Sequence, residues 1–288
     1  MSIQLKRHRN LLPGRLVLFS LALLLWFLLV LPLLALIWRT ASFDVLAAAS
    51  NPAILTSVLL SLRTTLISMI VILITGTPLA YVIAYYEFPF KRFMMLFIEM
   101  PIVIPPVIAG LALLSAFGRS GLLGQLLDVF NISIPFTTTA VVIAQVFVSA
   151  PFYIRAAQTS FESVDHEIQE AAAVDGANRW VTFWRILLPI SLSSLFVGMM
   201  LSWARALGEF GATILFAGNL KGRTQTMPLL IYSRLESDLG GAFLTALILL
   251  GFAFISFALT RLVAFRIESR VLLNPLSMRK SRQKYRER

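Results

Sequence analysis

The apolar runs of this chain are too long and too frequent for a water-soluble core. Residues 16–38, 58–85, 93–117, 136–157, 190–216 and 241–265 are each predominantly apolar. A helix needs about 20 such residues to cross a bilayer. Charged residues make up only 14% of the chain, whereas a soluble domain carries about 25% and needs them to cover its surface. The pattern predicts an all-α polytopic membrane protein with about six transmembrane helices.

The first run follows Lys6, Arg7, Arg9 and Arg15. A cleaved signal peptide is the competing reading, but its apolar core is about 7–15 residues long, and this one is longer. We therefore read an uncleaved first span, with a basic N-terminus over residues 1–15. The tail over 266–288 carries Arg279, Lys280, Arg282, Lys284, Arg286 and Arg288, and the loop before the third run carries Lys91 and Arg92. Excess Lys and Arg marks cytoplasmic segments. The net charge of +11 is thus a topology signal and not a nucleic-acid footprint. It predicts both termini in the cytoplasm and a transmembrane domain over 16–265.

Several spans contain residues that disturb a helix. Gly76 and Pro78 fall in the second, Pro101, Pro105 and Pro106 in the third, and Pro151 in the fourth. A proline removes a backbone donor, and the freed carbonyl is tolerated at membrane depth only beside protein or a water-filled path. The third span is expected to be bent or broken, either as a kinked packing helix or as part of a pore. Arg63 sits near the outer end of the second span. Arg205 and Glu209 lie one helical turn apart in the fifth. An isolated charge at the bilayer centre costs about 2.5–3.5 kcal/mol on insertion scales. A pair at this spacing neutralises itself, either as a structural ion pair or in contact with a substrate. Outer loops fall at 119–135, with a short surface helix at 121–130, and at 217–240, with a short helix from Pro228 to Leu239.

Between the fourth and fifth spans lies a polar island at 158–189. Residues 162–175 read as one helix, with Ala171, Ala172 and Ala173 as strong helix formers and Glu162, Asp165, Glu167 and Glu170 as its charged face. Gly176 stands where that helix stops, since glycine enters the left-handed turn without steric cost. An amphipathic piece carrying Trp180, Phe183, Trp184, Ile186 and Leu187 follows and is expected to end at Pro189. A helix, a glycine turn and a second helix on a membrane face form an object built to be held by another protein.

The spacing Glu170-Ala171-Ala172, then Asp175-Gly176, Ile186, Leu188 and Pro189 resembles the cytoplasmic coupling loop of ABC importer permeases. A second stretch resembles the molybdate and sulfate branch of that family, and molybdate permeases most. It runs from Ala206-Leu207-Gly208-Glu209-Phe210-Gly211-Ala212-Thr213 to Arg223-Thr224-Gln225-Thr226-Met227-Pro228. The resemblance covers about residues 55–265. It implies that Glu170, Ala171, Ala172, Asp175, Gly176, Ile186, Leu188 and Pro189 meet an ATPase. It implies a translocation path formed with a second permease copy, for which Arg63, Pro105, Pro106, Arg205 and Glu209 are the pore or gate candidates. It further implies a periplasmic or lipid-anchored oxyanion-binding protein, for whose docking Lys221, Arg223, Gln225 and Arg234 are the candidates. Two ATP-binding cassette subunits would drive transport, with ATP and magnesium bound on them and no cofactor on this chain. Molybdate or tungstate is the expected cargo, with sulfate or thiosulfate as the alternative.

The residues agree with a non-catalytic subunit in the cell membrane. No stretch reads as a phosphate-cradling P-loop, and no Ser-His-Asp or paired-carboxylate arrangement lies at membrane depth. His8 and His166 are the two histidines and fall in charged, solvated segments, and there is no cysteine, which excludes disulfides and thiolate metal sites. A channel or secondary carrier would not need the island at 158–189. A membrane-anchored assembly protein would not need the proline-broken spans or the Arg205/Glu209 pair.

Overall fold

A computed structural model describes residues 12–44 and 50–272. The basic residues before Leu12 and those after Leu272 lie outside the described residues. In chain order the helices are α1 (Leu12–Ala41), α2 (Pro52–Tyr85), α3 (Lys91–Val103), α4 (Pro106–Phe117), α5 (Gly124–Val129) and α6 (Thr138–Glu162). They continue as α7 (His166–Val174), α8 (Arg179–Thr182), a π-helical turn (Phe183–Leu187), α9 (Leu188–Leu207), α10 (Gly211–Phe216), α11 (Met227–Arg234) and α12 (Leu239–Leu272). No strand occurs among the described residues.

Five helical stretches are long and apolar enough to cross a membrane: Val17–Ala41, Pro52–Tyr85, Thr138–Glu162, Arg179–Leu207 and Leu239–Val263. The remaining crossing is shared by α3 and α4. The chain leaves α3 at Ile104 and resumes at Pro106, with extended backbone at Ile104 and Pro105 between them. A proline at the first position of α4 costs nothing, because that amide has no helical partner. α3 runs through Pro101 but ends at the Pro105-Pro106 pair, because the residue before a proline is pushed out of the helical region and here Ile104 and Pro105 both precede one. By contrast, α2 runs unbroken through Gly76 and Pro78, and α6 through Pro151.

The core is a seam between α2 and α6. Ser68 Oγ donates to Gln145 Oε1 at 3.0 Å, the Thr77 and Tyr153 hydroxyls lie 2.6 Å apart, and Tyr85 Oη donates to the Phe161 carbonyl at 2.6 Å. The sequence offset is nearly constant along these pairs, so the two helices run parallel and finish at the same end of the bundle. Gly76 lets them approach, since a Cβ there would meet Tyr153 Cδ1 at 3.2 Å. The seam is polar as well as apolar. Ser57, Ser61, Thr64, Thr65 and Ser68 are buried along α2. Gln145 Nε2 donates to Thr64 Oγ1 at 3.2 Å, and Trp203 Nε1 donates to Thr65 Oγ1 at 3.1 Å. Such cross-helix bonds matter because lipid tails are as apolar as leucine and supply no hydrophobic drive between helices.

Antiparallel to this pair runs α9. Ser202 Oγ donates to the Ser149 carbonyl at 2.8 Å, and Gly198 lies against Ala156, closer to the other end. The outer helices α1 and α12 complete the bundle, joined where Phe43 stacks on Phe243 at 5.9 Å. The connectivity places the start of α1, the ends of α2 and α6, the polar island and the end of α12 at one end of the bundle. The loops at 118–137 and 217–238 lie at the other.

Six expectations change. The helix expected over 162–175 is two: α6 stops at Glu162 and α7 starts at His166, with Ser163 Oγ turned back to donate to the Ser160 carbonyl at 2.7 Å. Pro189 does not end a helix; it sits in the first turn of α9, which continues inward. The fifth span is not continuous to Phe216, for it breaks at 208–210. The last helix extends past Phe265 to Leu272. The two short outer helices form, but as Gly124–Val129 and Met227–Arg234.

Where helices touch through glycine, a side chain has no room. A Cβ on Gly198 would lie 2.5 Å from Ala156 Cβ, whereas nothing approaches Gly251 within 4 Å. Gly198→Leu is expected to cost about 1–3 kcal/mol through overpacking, and Gly251→Leu to be near neutral. Thermal unfolding of the detergent-solubilised protein checks both; equal midpoints would rule out the α6–α9 contact.

Candidate functional site

The polar island is a capped hairpin. Glu167 stands in the first turn of α7, where a carboxylate favours the positive end of the helix. The helix ends in a Schellman turn. Gly176 has φ of +84°, its amide donates to the Ala173 carbonyl at 3.0 Å, and the Ala177 amide reaches the Ala172 carbonyl at 2.9 Å. Asn178 then starts α8, its Oδ1 accepting from the Val181 amide at 2.9 Å. From Arg179 the chain stays helical through the π turn into α9, so α8, the π turn and α9 form one rod to Leu207. The wide turn falls just before Pro189, whose ring would collide with the Arg185 carbonyl in a regular helix.

The candidate residues divide by exposure. Glu170, Ala171, Asp175 and Gly176 are exposed, as is Val174 beside them, while Ala172 is buried against the bundle. Ile186 and Leu188 are half-buried and Pro189 is exposed. One side of α7 thus faces outward with carboxylates and small apolar groups, and the other seats the hairpin.

The seat is made by residues that the sequence reading missed. Tyr85 Oη bonds to the end of α6 and also accepts from Gln169 Nε2 of α7 at 3.3 Å. Arg179 Nη1 donates to Tyr86 Oη at 3.2 Å and lies 5.5 Å from its ring centroid. The end of α2 therefore ties both arms of the hairpin. A cleft of about 300 Å³ remains between Tyr85, Tyr86, His166, Glu170 and Arg179. A larger apolar cavity of about 620 Å³ lies beside it, lined among others by Leu73, Tyr81, Trp180, Phe183 and Trp184. Paired tyrosines at the end of a span are the signal that could have flagged this seat.

Four of the five pore candidates, Pro105, Pro106, Arg205 and Glu209, lie at two helix breaks. Gly211, at the start of α10, lies against the start of α4, where a Cβ would meet Pro106 Cβ at 2.7 Å. Gly110 lies against the Ala212 carbonyl, at 2.9 Å from where its Cβ would be. The interruption in the third crossing and the one in the fifth are therefore packed on each other. Glu209 spans the break in the fifth crossing: it is 1% exposed, Arg205 Nη1 donates to its Oε2 at 2.7 Å, and the Ala212 amide donates to its Oε1 at 2.8 Å. Of the two roles open for this pair, the structural one is present in full. Arg63 is exposed and is not part of this cluster. A second pair joins α3 to α6, Arg155 Nη1 to Glu99 Oε1 at 2.8 Å. The sequence reading passed over both residues, although charges inside apolar runs were the signal that found Arg205 and Glu209.

The outer loop is built around Thr224, whose hydroxyl accepts from the Leu220 amide at 2.9 Å and donates to the Gly218 carbonyl at 3.2 Å. Lys221 and Arg223 point outward. Gln225 is buried and donates to Ser233 Oγ at 3.4 Å, and Arg234 is mostly covered and paired with Asp238 at 2.7 Å. The Met227 amide donates to Ser61 Oγ at 2.8 Å, which anchors the loop to α2.

Residues 76–269 match the model of the binding-protein-dependent transport system inner membrane component. The chain belongs to that family. It is an ABC importer permease, a transport component that spans the membrane several times. It is 38% identical to a probable transport system permease, NifC, of Clostridium pasteurianum over 82% of each chain. It is 39% identical to the molybdenum transport system permease ModB of Mycobacterium bovis over 70% of this chain and 77% of that one. It is 34% identical to a probable sulfate transport system permease of Chlorokybus atmophyticus over 78% and 80%. In fold it resembles a bacterial ABC transporter that imports alginate, with a TM-score of 0.68 at 18% identity over 91% of this chain and 98% of that one.

Removing one partner of a buried ion pair leaves the other charge uncompensated. Arg205→Ala is expected to destabilise the permease by about 3–5 kcal/mol, and Glu209→Gln by less, because a carboxamide oxygen still accepts from the Ala212 amide. Thermal unfolding midpoints of the two variants check the order; a milder Arg205→Ala would rule out the ion pair as the larger contribution.

Proposed function

We propose that this permease is the transmembrane subunit of an ATP-driven oxyanion importer, working as a pair of identical copies with molybdate as its cargo. The observation that carries the cargo is the similarity to molybdenum permeases, at 39% and 38% identity to those of Mycobacterium bovis and Bacillus subtilis. Sulfate is the second reading, supported by 38% identity to a sulfate permease of Synechococcus elongatus. Both anions are tetrahedral dianions, and the permease needs no tight site for either, since a tight site slows release.

The outward side of α7, with Glu170, Ala171 and Asp175, is the surface offered to an ATPase in the cytoplasm, and Gly176 sets the turn that presents it. ATP and magnesium belong to that partner. A loaded binding protein meets the opposite end, where Lys221 and Arg223 attract the acidic partner or the anion itself, and Gln225 and Arg234 support the loop from inside. Arg63 adds positive potential along the way. ATP binding and the loaded binding protein each favour one conformation of the permease differentially, as any driven switch requires.

The test is the ATPase activity of the complex purified through this chain, reconstituted with binding protein loaded by molybdate, tungstate or sulfate in turn. Stimulation by molybdate and tungstate is expected. Stimulation by sulfate alone overturns the cargo, and the absence of any co-purifying ATPase overturns the assignment of the α7 surface.

A further inference from the structure

We infer that Glu99 and Arg155 line the inner half of the translocation path, where Arg155 receives the anion and Glu99 competes with it for the guanidinium. The inference rests on the importer reading and names a site within it. Arg155 lies seven residues before the end of α6, and Glu99 eight after the start of α3. At 1.5 Å per residue both stand about 10–12 Å in from the island end of the bundle. Their side chains meet at 2.8 Å, yet they remain 56% and 39% exposed. In the Arg205–Glu209 pair the carboxylate is buried at 1% and the guanidinium is 30% exposed, whereas here neither partner is buried.

An exposed ion pair at that depth has three possible neighbours: hydrocarbon, a second copy or water. Hydrocarbon is disfavoured, because a charge costs about 2.5–3.5 kcal/mol at the bilayer centre on insertion scales and a part of that nearer the interface. Arginine can snorkel to the interface along its aliphatic stem, but the shorter Glu99 holds it in place. Burial between two copies would strip both charges of water for little return. A water-filled path satisfies both charges without these costs. It also agrees with the position of α3, the half-span that ends at the Pro105 break. An anion that has passed the packed breaks at Pro106 and Gly211 would next meet Arg155. Glu99 then does two things: it holds the guanidinium in place while the path is empty, and it repels the arriving dianion enough to keep the stop brief.

The chain has no cysteine, so single cysteines can be introduced without altering the background. Glu99→Cys and Arg155→Cys are placed in the assembled complex in inside-out vesicles and exposed to a charged, membrane-impermeant thiol reagent. Arg92→Cys, exposed at the island end of the bundle outside the α7 surface, serves as the accessible control and Ile255→Cys, exposed on the apolar α12, as the slow one. Both path positions are expected to react within about tenfold of Arg92→Cys and well ahead of Ile255→Cys. Reaction no faster than that of Ile255→Cys overturns the inference. Uptake is then measured with whichever anion the parent complex carries, molybdate first and sulfate second. Arg155→Gln is expected to slow it about tenfold or more, the scale on which a focused charge changes encounter rates. Glu99→Gln is expected to lower turnover while tightening retention of the anion. Pairing that serves only the fold predicts that Glu99→Gln combined with Arg155→Gln restores uptake, and such rescue overturns the inference, as does unchanged uptake in Arg155→Gln. A parent complex that carries sulfate but not molybdate corrects the cargo and leaves this site standing, because the labelling arm requires no cargo.

Discussion

In hydrocarbon a backbone amide or carbonyl has no water to turn to, so every interruption of a helix must be satisfied by protein or by a water-filled path. The architecture follows from that demand. The chain interrupts its crossings twice, before Pro106 and at 208–210, and packs the two interruptions together through Gly110 and Gly211. Glu209 supplies the acceptor that the start of α10 lacks, and Arg205 supplies its countercharge. Packed on each other, the two breaks form a polar, irregular joint inside a bundle whose other crossings are unbroken helices.

The rest of the bundle provides a rigid frame for this joint. The parallel α2–α6 seam buries a line of hydroxyls and Gln145, each bonded across or along the helices. Hydrogen bonds between membrane helices are worth only about 0.6 kcal/mol on average. Their value here lies in register: one helix cannot slide past the other without separating several at once. The same seam carries Ser61 at one end, which holds the outer loop through Met227, and Tyr85 at the other, which holds the island through Gln169. The loop and the island are therefore attached to opposite ends of a single helix.

Much of this was legible in the sequence, because hydropathy and the helix breakers act locally. The number of crossings, the broken third span and the left-handed turn at Gly176 all follow from residue type and spacing. So does the Arg205–Glu209 pair, which is close in sequence as well as in space. What escaped depends on partners distant in sequence. Glu99 and Arg155 become a pair only when α3 lies on α6, and Tyr85 and Tyr86 become a seat only when the hairpin folds back on them. Gln225 read as a surface residue in a polar run, but the run turns inward at Thr224 and the exposed part is Leu220–Arg223. Pro189 read as a stop because proline usually ends a helix; a π turn just before it lets the rod continue.

That continuation shapes how a signal would cross the protein. The rod over Arg179–Leu207 begins one turn after the island's capped loop and ends beside Arg205 and Glu209. At 1.5 Å per residue it spans about 40 Å, the thickness of a bilayer with its headgroups. A push on the outward side of α7 enters this rod through Gly176 and Asn178 and leaves it at the joint formed with Pro106, with no flexible linker between. The π turn at Phe183–Leu187 is its one irregular segment, flanked by the Trp180, Phe183 and Trp184 rings and the cavity beside them. Packed side chains transmit strain because a dense interior compresses little, whereas a cavity allows movement. Under the transport reading, movement at this turn would reach the α4–α10 contact through the far end of the rod, which Ser202 and Trp203 hold to the α2–α6 seam.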